Sequence, residues 1–486
     1  MTTSPAPEFP DYAHWLNSDR AYTMEEFRGK FVLLDFWTYC CINCMHILPD
    51  LKKLEQTYPE ELVVIGIHTP KFPGERETDN IRQAILRYEI EHPVVNDHQY
   101  TLWKRYGVRA WPTVALIDPE GDILGVRSGE GVWEALNPLL KEKVAEYKKL
   151  GKLREGVIQF KDEPVAEGML SFPGKVLADP FTDRLYISDS NHNRILIVER
   201  STGHILESIG NGEQGKRDGS YQKAQFHHPQ GLARQGNYLF VADTENHLIR
   251  QINLTNKQVS TLAGTGKQAR RFNNSGKGTQ VALNSPWDIL YYKGLLYVAM
   301  AGFHQIWTVN PQTLFTQPFA GSGHENITDG SAQTAALAQP SGLATDGKFL
   351  YVADSEVSGI RQINLDTGDV ETIVGRGLFE FGDVDGNGKD VRLQHPLGVT
   401  WADGRLFVAD TYNNKIKVIH PTLKSADTFA GKGEEGSADG IEATFDEPGG
   451  LSFAEGKLYV ADTNNHLIRV IDTKTGVTTT LPIRSE

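Results

Sequence analysis

The chain has 486 residues, more than one hydrophobic core usually serves, so more than one domain is expected. It is 39% hydrophobic and 23% charged, contains 47 glycines and carries a net charge of -13, which argues against nucleic acid or an anionic membrane surface as a partner. The opening MTTSPAPEFPDYAHW lacks a basic segment followed by an apolar one, and no later run approaches the roughly 18 apolar residues of a membrane span, so a cytoplasmic protein is expected.

From about residue 20 to 150, strand-like and helix-like runs alternate. KFVLLDFW is followed by the helical MHILPDLKKLEQTY, then by the strand ELVVIGIH and the amphipathic DNIRQAILRYEI, and finally by PTVALID and the helical WEALNPLLKEKVAEYKKL. Strands joined by helical crossovers imply an α/β layer with at least one parallel pair. All three cysteines lie within this part, in FWTYCCINCMHILPDL. Crowded into five positions, they cannot staple distant parts of the fold, and a CxxC in a reducing compartment reads as redox or metal chemistry. The strand VLLDFW runs directly into Cys41, which places that thiol at or just before a helix N-terminus, where unpaired N–H groups favour thiolate. Cys44 lies one turn further, so Cys41 is the expected attacking thiol and Cys44 the resolving one. A zinc site would need two more ligands and there is no second CxxC. Cys40 and His46 are the available candidates, but the adjacent Cys40 and Cys41 side chains diverge on a strand end. Three buried cysteines acting as small hydrophobes are the bland alternative. Neither a metal nor a cofactor is expected.

After GKLREG the helical period stops and one pattern returns six times, its strongest copies being LYISDSNHNRILIV, LFVADTENHLIRQI, LYVAMAGFHQIWTV, LYVADSEVSGIRQI, LFVADTYNNKIKVI and LYVADTNNHLIRVI. The Asp position falls at 189, 243, 300, 354, 410 and 462, a spacing of 52 to 57 residues, and a proline precedes each inner strand at 173, 229, 286, 340, 396 and 448. Room for about four short strands per copy predicts a six-bladed β-propeller. The expected organisation is therefore 1–150 for the α/β domain, 151–170 for a linker and 171–486 for the propeller. By order VTTTLP at 477–482 is the outer strand of blade six, with GVIQFK at 156–161 as its competitor.

Tempting motifs dissolve in the repeat. Gly264-Thr-Gly266 and its counterparts sit at one blade position and open no helix, so they read as inter-blade turns. GDVDGNGKD resembles a calcium loop, but Asp385-Gly386 coincides with Asp218-Gly219, Asp329-Gly330 and Asp439-Gly440. The repeated Asp189, Asp243, Asp354, Asp410 and Asp462 read as caps of their own turns rather than as ligands. His192, His227, His228, His247, His304, His395 and His466 mostly recur with the repeat, and neither HExxH nor GxSxG is present. Blades three and four break the pattern at Met300-Ala301-Gly302 and Val357-Ser358, which marks them as candidate partner surfaces.

VLLDFWTYCCINCMHILP together with VRAWPTVALID resembles the thioredoxin fold in its TlpA-like branch. The resemblance implies that Asp35, six positions before Cys41, manages the resolving thiol's proton. It also implies that Trp37 is the active-site tryptophan, that Pro49 kinks the first helix, and that Pro112 is a cis-proline receiving substrate backbone, with Trp111 and Thr113 beside it. Cys40 stands where that family usually has tryptophan and Ile42-Asn43 replaces Gly-Pro, so Cys40 is a possible auxiliary thiol and the redox potential is not inherited. Thr38-x-x-Cys41 echoes a peroxiredoxin motif, although Leu34 stands where its proline belongs. The C-terminal copies resemble NHL repeats, and the whole chain resembles the family that pairs a thioredoxin-like domain with an NHL propeller. The expected function is thiol-disulfide exchange on a protein disulfide or thiol substrate, with an unidentified protein partner on the propeller. The alternatives are a non-catalytic protein-binding scaffold and a thiol peroxidase.

Overall fold

The computed structural model describes residues 4–165, 168–270 and 275–485. Contacts divide the chain into two units, Met1–Ala166 and Glu167–Glu486.

The first unit is a six-stranded sheet. Its strands are β1 (His14–Leu16), β2 (Phe31–Trp37), β3 (Leu62–His68), β4 (Val94–Asn96), β5 (Thr113–Ile117) and β6 (Ile123–Ser128), in the order β1-β4-β3-β2-β5-β6. Strands β2, β3 and β4 are parallel, whereas β5 runs antiparallel to β2. Among the described residues four α-helices complete it: α1 (Ile42–Thr57), α2 (Thr78–Arg87), α3 (Thr101–Arg105) and α4 (Val132–Lys149). The predicted α/β layer is therefore present. The short β1, β4 and α3 carry too few residues to show a period. β2 is buried along its whole length. Its alternation sends Val32, Leu34 and Phe36 to one core, while Phe31 and Leu33 join Ile47 and Leu51 of α1 and Leu136 and Leu140 of α4 in the other. By the same parity Asp35 falls on the face that α1 covers.

Of the stretch expected as a linker, residues 153–163 are bound to the first unit. Arg154 N–H donates to Gly29 O, and the buried Lys30 ammonium reaches the carbonyls of Arg154 and Gly156. Ile158 and Phe160 pack against the core, and Glu163 meets both Asn17 and Arg82. GVIQFK is thus committed to this unit and supplies no blade strand.

The second unit is a six-bladed propeller built on four-stranded antiparallel meanders read from the centre outward; blades two, three and five add a two-residue outermost strand at Gly219–Ser220, Gly276–Lys277 and Gly386–Asn387, and Thr478–Leu481 is the outer strand of blade six. The innermost strands neighbour one another in a closed ring. Two residues after each inner proline stand Lys175, Gly231, Asp288, Gly342, Gly398 and Gly450. The glycines permit close approach: a Cβ on Gly231 would lie 2.4 Å from Asp288 Cα, and one on Gly398 would lie 3.1 Å from Gly450 Cα. Lys175 spans the axis, donating to Ser341 O and Leu397 O and lying 3.8 Å from Asp288 Oδ2 at the base of a cavity of about 290 Å³.

The repeated Asp does not cap its own turn, which corrects the local reading. Oδ1 of Asp189, Asp243, Asp354, Asp410 and Asp462 instead accepts a backbone N–H from the segment entering its blade, that of Ser171, His227, Ala338, Gln394 and Asp446 respectively. Oδ2 meets a cation of the neighbouring strand in four blades: Arg250, Arg361 and Arg469 in blades two, four and six, and Arg194 in blade one. Those three buried arginines also reach Asp218, Asp329 and Asp439, and Lys417 reaches Asp385, which explains the Asp-Gly repeats as ion pairs.

Adjacent blades are joined by a second recurring bond. The left-handed residue ending each inter-strand turn, Asn193, His247, His304, Ser358, Asn414 or His466, accepts the N–H of the residue before the next blade's proline. His247, His304 and His466 are accordingly structural acceptors. In blade three Met300 and Trp307 replace the Asp–Arg pair, with Phe303 stacked on Trp307, and all three are buried. Val357 and Ser358 are buried as well. The irregular residues of blades three and four are therefore core substitutions, not the partner surface expected of them.

Candidate active site

β2 delivers the cysteines to the N-terminus of α1. Cys41 is its N-cap residue and is partly exposed, with Cys44 N–H donating to Cys41 O at 3.1 Å. Cys40 and Cys44 are both buried. The Cys44 pKa stands well above the usual thiol range because of burial first, then the neighbouring Cys41 thiol and the charge of Asp35. The two thiols therefore differ in access, Cys41 standing at the helix start and Cys44 one turn inside.

Asp35 lies beneath them, buried, and neither carboxyl oxygen has a hydrogen-bond partner among the described residues. Burial raises its pKa to about 7, against which His92 acts. Register pairs Asp35 with Gly66 of β3. A Cβ at Gly66 would fall 2.9 Å from Trp37 Nε1 and 3.5 Å from His92 Nε2, so glycine is what lets both rings close over the sheet beside Asp35. His92 Nδ1 lies 3.6 Å from Glu55 Oε2, and Glu55, on α1, is partly exposed. Burial opposes protonation of His92, yet Glu55 and Asp35 raise its pKa overall. The main chain at His92 is fixed by Asn17 Nδ2, which donates to the carbonyls of Ile90 and His92. Asp35, His92 and Glu55 thus form a file of titratable groups from the buried thiol toward solvent, in which only Asp35 was expected.

Trp37, expected to touch substrate, is buried edge-on against His68 at 4.9 Å, so it supports the site from within. His68 is itself stacked on Tyr39, and burial lowers its pKa to about 3. The Trp111–Pro112 peptide is cis. Because β5 starts at Thr113 opposite Phe36, the Trp111-Pro112 turn lies at the same end of the sheet as Cys41. Thr113 Oγ1 bonds Ala110 O and Ser128 Oγ at 2.7 Å, and Pro112 O accepts Gly129 N–H. Pro112 and Thr113 are buried, while Trp111 is partly exposed, tilted on Trp103 at 4.6 Å. Pro49 lies inside α1.

Sequence reasoning missed Glu75. Its buried carboxylate accepts Cys40 N–H at 2.9 Å through Oε1 and the N–H groups of Lys71 and Phe72 through Oε2, tying the cysteine loop to the turn after β3. It lies 35 positions from Cys40, and no local pattern signals it. His46 pairs with Glu130 at 2.7 Å, and among the described residues it does not gather with the cysteines as a ligand set.

A thioredoxin-like layer with CxxC at a helix N-terminus, followed by a six-bladed propeller, defines a two-domain protein of the thioredoxin–propeller class. Residues 29–123 match the thioredoxin-like family, residues 445–471 the NHL repeat and residues 228–249 the LVIVD repeat. The chain belongs to the NHL repeat-containing protein 2 family: it is 44% identical to the Homo sapiens protein of that name over 99% of this chain and 72% of that protein. It is also 44% identical to Protein SUPPRESSOR OF QUENCHING 1, chloroplastic, of Arabidopsis thaliana, over 98% of this chain, and spans 47% of that longer protein. The N-terminal part alone is 31% identical to Thiol-disulfide oxidoreductase ResA of Halalkalibacterium halodurans, over 22% of this chain and 58% of that protein. Among the described residues no helix is long and apolar enough to cross a membrane.

Proposed function

We propose that the protein is a thiol-disulfide oxidoreductase acting on protein disulfides, with Cys41 as nucleophile, Cys44 as resolving thiol and Asp35 as the acceptor of the Cys44 proton. The Cys41 thiolate attacks one sulfur of a substrate disulfide, the S–S bond breaks, and the other substrate sulfur leaves as thiolate. Cys44 then gives its proton to Asp35 and attacks the mixed disulfide at Cys41. The substrate departs with two added electrons, and a Cys41–Cys44 disulfide remains for an external reductant. The observation that carries this reading is the asymmetry of the thiol pair: Cys41 is partly exposed at the start of α1, whereas Cys44 is buried beside it and close to a carboxyl group with a pKa of about 7. A carboxyl near neutrality exchanges protons with little cost, which is the requirement for a general base at ordinary pH.

His92 and Glu55 extend the route by which that proton leaves. Trp111 and the cis Pro112 offer the neighbouring surface for substrate backbone, and Thr113 fixes the turn from below. Cys40 is the auxiliary thiol of this reading; its burial and the anchoring of its N–H by Glu75 support a role other than contact with substrate. The propeller is the protein-binding module that selects the substrate. A reducing compartment such as the cytoplasm suits three neighbouring thiols.

Reduction of insulin disulfides by the parent and by Cys41→Ser tests the reading. Turnover by the parent and background activity in the variant are expected, together with reducible conjugates trapped by Cys44→Ser. Equal rates in parent and Cys41→Ser would leave the protein as a binding scaffold.

A further inference from the structure

Blade two carries a side-chain cluster that, among the described residues, the other blades lack. Glu245, in the turn between its second and third strands, faces two consecutive histidines from the segment entering the blade. Oε2 is 3.0 Å from His227 Nε2 and Oε1 is 2.6 Å from His228 Nδ1. One candidate ligand atom from each residue lies within 4.8 Å of the others. We propose that His227, His228 and Glu245 bind a divalent transition-metal ion of the zinc class, outside the cysteine site and independently of its chemistry.

The donor set comes first. Two imidazoles and one carboxylate suit zinc and its neighbours better than calcium or magnesium, which prefer oxygen alone, and three protein ligands leave a coordination position for water or a further ligand. Preorganisation comes second, because all three main chains are held by bonds that leave the ligand atoms out. His227 N–H donates to Asp243 Oδ1 at 2.8 Å, His228 N–H to Asn193 Oδ1 at 3.0 Å and Glu245 N–H to His227 O at 3.3 Å. Gln214 Nε2 lies 3.3 Å from His227 Nδ1, and a turn of that amide presents its oxygen to the Nδ1–H of a metal-bound ring.

The repeat supplies the third reason. The same three positions hold Ser171, Phe172 and Asn191 in blade one. The equivalent main-chain bonds form there without any of these ligating groups: Ser171 N–H to Asp189, Phe172 N–H to His466 and Asn191 N–H to Ser171 O. Blade architecture therefore does not require the His-His-Glu combination. Access is adequate, with side-chain exposures of 15% for His227, 7% for His228 and 34% for Glu245. An incoming ion would replace the two contacts to the carboxylate by metal bonds at His227 Nε2, His228 Nδ1 and Glu245, each neutral imidazole keeping its one proton on the other ring nitrogen.

Cobalt(II) and zinc(II) titrations of the full chain test the site, with His227→Ser and Glu245→Asn as variants because blade one folds with those residues. The parent is expected to take up one Co²⁺ that shows ligand-field bands without a thiolate charge-transfer band and that Zn²⁺ displaces. Each variant should bind at least tenfold more weakly, and Zn²⁺ should raise the unfolding temperature of the parent but not that of the variants. The absence of a bound equivalent would overturn the proposal. So would a cobalt spectrum dominated by thiolate charge transfer, or equal affinity in parent and folded variants.

Discussion

Asp35 shows how burial alone sets a residue's chemistry. Its oxygens lack hydrogen-bond partners among the described residues, and desolvation raises its pKa to about 7. A carboxyl whose folded pKa exceeds its unfolded value of about 4 favours folding only while protonated, so that contribution is lost as the pH rises from about 4 through about 7. Asp35→Asn remains neutral throughout. It should therefore be more stable than the parent above neutrality, by up to about 4 kcal/mol, with the difference closing below pH 4. Urea unfolding of both proteins across this range measures it, and a constant difference would show that Asp35 does not titrate in the window. The same variant should slow the resolving step while leaving the first attack by Cys41 intact.

The blades offer a natural experiment at the level of the element. Blades two, four and six bury an Asp–Arg pair, with Arg250, Arg361 and Arg469 inaccessible to solvent, whereas blade three fills the same space with Met300 and Trp307. Hydrophobic groups of similar volume can replace a buried ion pair at little cost, but removing one partner strands a charge. Arg361→Met should consequently cost about 3–5 kcal/mol. The double change Asp354→Met with Arg361→Trp, which copies blade three, should cost less than Arg361→Met alone. Chemical denaturation of both variants decides the order, and a more costly double change would mean that blade four cannot repack as blade three does.

At the scale of the whole propeller, the ring closes without an interleaved strand. Blades one and six each complete their sheets from consecutive strands, and Thr463 Oγ1 of blade six donates to Pro173 O of blade one. Beyond the last strand, Arg484 pairs with the edge of blade one: Ile205 N–H donates to Arg484 O at 2.9 Å, and Arg484 N–H to Gly203 O at 3.1 Å. A chain ending at Leu481 should lose these bonds and the packing of Ile483, lowering propeller stability by about 1–3 kcal/mol without affecting the cysteine site. Unfolding transitions and insulin reduction, measured on the same preparation, separate the two effects.

Much of this was legible in the sequence because it is periodic or local. Alternating apolar residues fix the strands, a spacing near 54 residues fixes six blades, and a strand running into Cys41-Ile-Asn-Cys44 places Cys41 at a helix start, since each follows from residues close together in the chain. What resisted is long-range pairing. Glu75 beneath Cys40, His92 beside Asp35 and Glu245 against two histidines are contacts whose partners carry no local signal. The order of elements and the thiol at the helix start follow from neighbouring residues alone. Which polar side chains are buried together depends on the folded chain, because burial and the charge of distant neighbours, rather than residue type, set what a carboxyl, an imidazole or a thiol can do.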